Sequence, residues 1–278
     1  MRTIAFVTQK GGAGKSTLAS NISVAARLSG ERVFIIDLDP LQSLVKWSAA
    51  RETTDIAVEH VPAAKLSKAL AALEKKGVTL VVIDAPGADS EQVSAAVRAS
   101  DLCIIPSRPN VFDLWASDVT RAKVRDESKD YAFLLNQCPP SQQSARVEQG
   151  AKALQAMGGL LAPLVSARVD YQEAARLGLG VLEYNPHGVA AAEMSELWAS
   201  VKRRLKKGAS AKAVAKSDVK PLKAPKIAPK AEVAVETQVE TKAVEVKAAE
   251  PVAAKSAPAV EPKTKASAKT VKTAKKAA

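Results

Sequence analysis

Aromatic side chains are scarce in this chain of 278 residues: three Trp, three Tyr and four Phe, 4 % of the whole. Cysteine is scarcer, with Cys103 and Cys138 alone, so a disulfide framework is excluded and a reducing compartment is expected. The two histidines, His60 and His187, stand apart in the sequence and form no metal-ligand pattern. No apolar run approaches the roughly 18 residues of a membrane span. The N-terminus enters an apolar segment directly, without the basic and then apolar regions of a signal peptide. The expectation is a soluble, internal protein, and the classes set aside are secreted disulfide scaffolds, zinc modules and membrane-spanning proteins.

Acidic residues are also in deficit, 29 against 41 Lys and Arg, for a net charge of +12. The excess is uneven. Residues 208–278 hold 15 Lys, no Arg, 7 acidic residues, six Pro and no aromatic residue. Such a segment cannot bury enough apolar surface to offset its ordering entropy, so a disordered Lys/Ala/Pro-rich tail is expected there. Its lysines, without arginine or aromatic neighbours, suit phosphate contact rather than base reading, and a plain solvated spacer is the other reading. Just before it, Lys202-Arg203-Arg204-Leu205-Lys206-Lys207 concentrates five more positive charges. The remainder of 1–207 is nearly neutral and long enough for one domain with a substantial core.

Within 1–207, β-branched runs alternate with helical stretches. Strands are expected at Thr3–Thr8, Arg32–Ile36, Ile56–His60, Thr79–Ile83, Leu102–Pro106, Tyr131–Leu135 and Leu160–Val165. Helices are expected at Ser16–Ser29, Ser43–Arg51, Lys65–Lys76, Ser90–Ser100, Leu114–Asp126, Gln142–Met157 and Ala190–Lys207. The alternation predicts an α/β fold, a mostly parallel sheet with helices on both faces. Ligands of such sheets bind beyond the C-terminal strand ends.

The chemistry gathers there. Gln9-Lys10-Gly11-Gly12-Ala13-Gly14-Lys15-Ser16-Thr17 lies between the first strand and first helix, the context of a phosphate-binding loop. Glycines let backbone N–H groups turn around a phosphate, the helix N-terminus and Lys15 add positive charge, and the Ser16 hydroxyl suits Mg²⁺. The second strand delivers Asp37-Leu38-Asp39-Pro40, two carboxylates whose spacing on an extended segment points them the same way. An ordinary turn before Pro40 is the alternative. Val78–Ile83 ends in Asp84-Ala85-Pro86-Gly87, where a strand-end carboxylate suits Mg²⁺ and Gly87 suits a loop that senses a phosphate. A fourth strand end carries Asn136, either a turn residue or an amide able to donate and accept at a base edge.

The loop departs from G-x-x-x-x-G-K-[ST], with Gln9 at the first glycine and a second lysine, Lys10, beside it. In this it resembles the deviant Walker A loop of the ParA/MinD family of P-loop ATPases. The Pro-rich link Pro106–Pro109 with Phe112-Asp113-Leu114-Trp115, and the stretch Val165–Ala175, look like the small, partition-type ParA proteins. The resemblance covers about residues 1–207. It implies ATP and Mg²⁺ as cofactors, held by residues 10–17, with Asn136 at the adenine and Ser16, Asp37 and Asp84 around the metal. It implies that Lys10 reaches the nucleotide of a second subunit, so that ATP drives a homodimer. Asp39 would orient the attacking water, making Lys10, Lys15 and Asp39 the catalytic set, and Asp37, Asp39, Pro40, Asp84, Pro86 and Gly87 the switch. Leu41 stands where that family has Gln. The guanine-selecting Asn-Lys-x-Asp is absent, which favours ATP. A distant cousin, the nitrogenase iron protein, binds a cluster through cysteines. Cys103 falls within a strand here and neither cysteine has a glycine-rich ligand loop, so inert thiols are expected.

The resemblance further implies non-specific DNA binding, for which Lys202, Arg203, Arg204, Lys206 and Lys207 are the candidates. It also implies a ParB-like or cargo-adaptor partner that stimulates slow hydrolysis. The protein would be cytoplasmic and nucleoid-associated, partitioning or positioning a plasmid, a chromosome or a protein cluster. Because the chain begins with its first strand, no helix-turn-helix domain is expected ahead of it. The alternative is a MinD-like membrane-cycling regulator of division placement, although MinD's membrane helix ends its chain. No second catalytic constellation suggests a metabolic P-loop enzyme. Phe112 and Trp115 are expected in the core, and Met194, Leu197, Trp198, Val201 and Leu205 on the core face of the last helix; Arg168 is either a residue of the nucleotide and dimer-seam region that the resemblance implies or an exposed structural arginine.

Overall fold

The computed structural model describes residues 1–140 and 144–217, with side chains to Gly208. The expected disorder of 218–278 lies outside the described residues. Six strands, β1 (Arg2–Phe6), β2 (Val33–Asp37), β3 (Ala57–His60), β4 (Leu80–Asp84), β5 (Leu102–Ser107) and β6 (Tyr131–Leu135), form one sheet in the order β3-β2-β4-β1-β5-β6. Every pairing is parallel.

Period-two alternation divides the strand residues between two cores. Ile4, Phe6, Ile35, Val82, Leu102, Ile104 and Leu134 face one layer. Ala5, Ile36, Val81, Ile83, Cys103, Ile105 and Phe133 face the other. Both faces of β4 and β5 are buried, which is why they read as unbroken apolar runs. The first core is closed by α1 (Lys15–Leu28), α2 (Ser43–Ala49), α7 (Val169–Arg176), α8 (Val181–Tyr184) and α9 (Val189–Ser217). The second is closed by α3 (Leu66–Lys75), α4 (Glu91–Ala99), α5 (Val111–Asp126) and α6 (Ala145–Ala156).

Four expectations are corrected. Leu160–Val165 is not a strand: it runs alongside β6 without a continuous ladder, with isolated bridges at Phe133–Leu160 and, just beyond it, Cys138–Ser166. Pro163 has no N–H to give a ladder, and Leu161 and Val165 donate to Phe133 and Leu135 on either side of the bulge around it. Phe112 and Trp115 are not in the core; they are 66 % and 63 % exposed. The buried face of α5 belongs instead to Asp113, Ser117, Thr120 and Val124, and helical spacing sends the two aromatics to the other side. There they pack edge to face, 5.7 Å between centroids. Helix α5 also starts at Val111, because the Asn110 side chain accepts the Asp113 N–H at 3.0 Å and caps it. Finally, α9 does not stop at Lys207 but runs to Ser217, through an Ala- and Lys-rich stretch that favours helix. Helix α6 begins at Ala145; Gln142, its expected start, lies outside the described residues.

Candidate functional site

Parallel pairing sets the strand ends side by side. Phe6 and Asp37 are both in register with Asp84, so the glycine loop after β1 and the carboxylates ending β2 and β4 share one end of the sheet. Gly14 leads into α1 at φ +89°, a conformation that costs a residue with a Cβ. Any Cβ there would also collide with Asn136.

Lys15 and Asp84 are buried beneath this loop. Ser16 Oγ donates to Asp84 Oδ2 at 2.6 Å. The other oxygen, Oδ1, is buried with no hydrogen-bond partner among the described residues. A buried carboxylate oxygen left unpaired is costly. Burial pushes the Asp84 carboxyl up to about 7; nearby Asp37 and Asp39 add to this, while the Ser16 hydrogen bond and Lys15 oppose it. Burial likewise lowers the Lys15 pKa, against the attraction of Asp84 and Asp39. A hard dication beside Asp84 would satisfy its unpaired oxygen, whereas Lys15 would need an anion; the hydroxyl and carboxylate oxygens present are the donors that Mg²⁺ takes. The residues fit that ion.

The two expected switch carboxylates take different positions. Strand β2 ends at Asp37, so Asp39 lies beyond the strand, in the loop before α2. Asp37 is wholly buried and accepts N–H groups from Asp39 (3.0 Å), Leu44 (2.9 Å) and Val45 (3.4 Å). It thereby fixes the turn that carries Asp39 and the start of α2. Burial raises its pKa and these three hydrogen bonds oppose the rise. Asp39 is half-buried, accepts the Leu41 N–H, and lies close enough to Lys15 to interact with it. Pro40 and Leu41 are exposed, Leu41 by 70 %. On the β4 side, a Cβ on Gly87 would stand 3.2 Å from Gly11 Cα and 3.3 Å from Lys15 Nζ. The Pro86-Gly87 turn therefore rests on the loop. Lys10, Gly11 and Gly12 are exposed.

Asn136 donates its amide to Ala13 O at 2.8 Å, and Gln137 reaches Gly12 O at 2.9 Å. Asn136 thus braces the loop as well as lining a cavity of about 380 Å³, whose wall includes Gly14, Thr17, Gln137, Ser166, Arg168, Tyr171 and Gln172. Its amides and mixed lining suit a small, flat polar ring. Tyr171 OH is buried there without a partner among the described residues. Arg168 lines this cavity and is held by Glu193 of α9 at 2.7 Å. The same carboxylate accepts the Ser166 hydroxyl and N–H. A neighbouring cleft of about 450 Å³, on the other side of Thr17, is lined by Ser43, Lys46, Trp47 and Arg176.

Sequence reading passed over Glu193, Gln137 and Arg51. Arg51 joins Asp55 and Glu183 and donates to Gly178 O at 2.8 Å, tying the end of α2 to α7 and α8. Only the spacing of charges in the chain signals such pairs, and it does not say which pairs form. The basic stretch of α9 is divided. Arg203, Lys206 and Lys207 are exposed, Arg204 is engaged by Asp130 at 2.6 Å, and Lys202 lies 5.5 Å over the Trp198 ring. Met194, Leu197, Trp198 and Val201 are buried as expected, with Leu205 packed against them. Among the described residues no helix is long and apolar enough to cross a membrane.

Residues 4–182 match the CobQ/CobB/MinD/ParA nucleotide binding domain. Maintenance of carboxysome distribution protein A of Gloeobacter kilaueensis is 32 % identical over 199 residues, 69 % of this chain and 89 % of that protein. Protein ParA of Rhizobium radiobacter is 33 % identical over 115 residues, 41 % of this chain and 51 % of that protein. Among solved structures, the septum site-determining protein MinD complexed with Mg-ADP from Pyrococcus horikoshii superposes with a TM-score of 0.60 at 18 % identity. It covers 74 % of this chain and 98 % of its own, a likeness of fold. The chain belongs to the CobQ/CobB/MinD/ParA family of nucleotide-binding domains.

Proposed function

We propose that this protein is a Mg²⁺-dependent ATPase that dimerises on ATP, binds DNA non-specifically and positions a cargo through a stimulating partner protein. The observation that carries the reading is the buried pair Lys15 and Asp84 under a glycine loop, with the half-buried Ser16 donating to Asp84 and one carboxylate oxygen unpaired. The amide-lined cavity beside the loop suits adenine. Ser16 and Asp84 would hold Mg²⁺, with Asp37 behind them; the ion neutralises phosphate charge when bound.

The chain's own residues divide the remaining work. Loop N–H groups and Lys15 bind the polyphosphate, and Lys10, exposed at the loop's outer edge, serves the second subunit's nucleotide. Asp39, held by Asp37 on its turn, orients the attacking water. Gly87 keeps the Asp84 loop close enough to register a third phosphate. Thr17 and Asn136 hold the loop and border the base. Release of phosphate frees the Asp39 and Gly87 turns, and the dimer opens.

Relatives named for carboxysome distribution and for ParA support a positioning role. The exposed Arg203, Lys206 and Lys207 are the cations of the described helix offered to DNA phosphates. The MinD-like membrane alternative has less support, because Met194, Leu197, Trp198 and Val201 of α9 are buried against the core rather than free for lipid. Retention of the full chain on random-sequence duplex DNA, with ATP–Mg²⁺ against ADP–Mg²⁺ and anionic liposomes in parallel, tests the reading. ATP-dependent DNA retention supports it; liposome binding without DNA binding replaces it with the membrane alternative.

A further inference from the structure

We propose that Arg108 is an additional phosphate-binding cation of this site, beyond Lys10 and Lys15. Topology brings it there: β5 pairs with β1, so the loop leaving β5 at Ser107 runs beside the loop leaving β1 at Phe6. The guanidinium is fixed rather than free. Its Nε donates to Asp113 Oδ1 at 3.0 Å and its Nη2 to Asp113 Oδ2 at 3.2 Å. Asp113 is itself buried, and its N–H is capped by Asn110 at 3.0 Å. A bidentate carboxylate takes one edge of the five-donor fork. Nη1 has no hydrogen bond within the described protein and lies on the opposite side of the group, 3.7 Å from where a Cβ of Gly12 would stand.

The exposed Gly12, at φ +76°, belongs to the stretch whose backbone would wrap the phosphates. Arg108 therefore holds unspent donors against the loop's outer rim, with its counter-ion behind it. A polyphosphate arriving at the loop meets the positive end of this ion pair. Two other roles fit less well. A purely structural arginine would spend Nη1 on protein oxygen, as Arg51 spends its Nη1 on Gly178 O. A freely solvated one would lack the bidentate anchor. The chemical class recognised is a nucleoside polyphosphate, and the effect should grow with the number of phosphates.

This inference rests on the nucleotide-binding reading of the site, and the experiment separates the two. Full-length wild type, R108Q and R108K are titrated with fluorescent ATP and ADP in Mg²⁺ at two salt concentrations, and steady-state ATPase is measured alongside. R108Q should weaken ATP about tenfold, weaken ADP by less, and flatten the salt dependence; R108K should recover most of the loss, because a charge is restored. R108Q should also lower the melting temperature, because it leaves the buried Asp113 carboxylate without its guanidinium, so the titrations are run well below the melting temperature of every variant. Equal ATP and ADP affinities for wild type and R108Q would overturn the proposal while leaving the site intact. So would an equal loss of both ligands in R108Q that R108K fails to rescue, the signature of a structural role. A wild type that binds neither nucleotide, whose K15A variant behaves identically, would overturn the site reading and this proposal with it.

Discussion

Replacing Glu193 by Ala tests how the cavity beside the glycine loop, the proposed base site, is built. Glu193 sits on α9, is 8 % exposed, and accepts hydrogen bonds from Ser166 N (3.3 Å), Ser166 Oγ (2.9 Å), Arg168 Nε (3.3 Å) and Arg168 Nη2 (2.7 Å). Without it, the Ser166 N–H is left buried and unpaired, a cost of about 1–3 kcal/mol. Arg168 keeps about a quarter of its side-chain surface exposed and can turn to water, which limits its share. A net loss of about 2–3 kcal/mol is expected, or roughly 5–10 °C in melting temperature for a domain of this size. Because Ser166 and Arg168 are one wall of the cavity, ADP should bind about tenfold more weakly, whereas inorganic tripolyphosphate, which needs only the glycine loop, should bind within about twofold of wild type. Thermal unfolding and competition titrations with the two ligands provide both numbers. E193Q, which keeps an acceptor for Ser166 but loses the charge facing Arg168, should fall between. Equal weakening of ADP and tripolyphosphate, or no weakening of either, would refute the idea that α9 shapes the base site.

Three further outcomes are expected. Asp39→Ala should abolish turnover yet leave an ATP-bound dimer on size exclusion; a monomer in ATP–Mg²⁺ would remove Asp39 from the water-orienting role. Gly87→Ala should lower ATPase activity at least tenfold with little change in melting temperature, since the added methyl crowds Gly11 and Lys15 rather than the core; wild-type turnover would mean the turn does not close on the loop. Acid should weaken the clamp between α2 and α8. Burial favours neutral Asp55, but hydrogen bonds from Arg51 and Thr53 and the charges of Arg51 and Arg27 outweigh it and hold the carboxyl down to about 2 from 3.8. Asp55 is exposed, so solvent screening holds its contribution to about 0.5–1 kcal/mol. Because the folded value is the lower one, that contribution is complete well above pH 3.8 and is lost as pH falls towards 2. Asp55→Asn should therefore cost about 0.5–1 kcal/mol in urea unfolding at pH 7 and almost nothing near pH 2; an equal cost at both would contradict the assignment.

The chain's local chemistry determined a good deal on its own. Alternating apolar runs and helical stretches specify a parallel sheet covered on both sides, because buried parallel strands must be apolar on both faces. The glycine loop, Lys15, Ser16 and Asp84 were legible because phosphate binding needs backbone N–H groups, a cation and a hard oxygen close together in sequence or at adjacent strand ends. Asp37 stood out in sequence as a candidate metal residue, but its hold on the Asp39 turn was not legible, since it accepts from N–H groups two, seven and eight residues on.

Tertiary structure alone decided the rest. Leu160–Val165 has a strand's composition, yet it runs past β6 around a proline that cannot donate. Phe112 and Trp115 look like core residues, yet the face of α5 that meets the sheet is chosen by Asp113, Ser117, Thr120 and Val124. Glu193 reaches Ser166 across 27 residues and Arg51 reaches Glu183 across 132. A charged side chain carries no mark of its partner, because a buried ion pair is selected by the packing of whole elements and not by residues beside it in the chain.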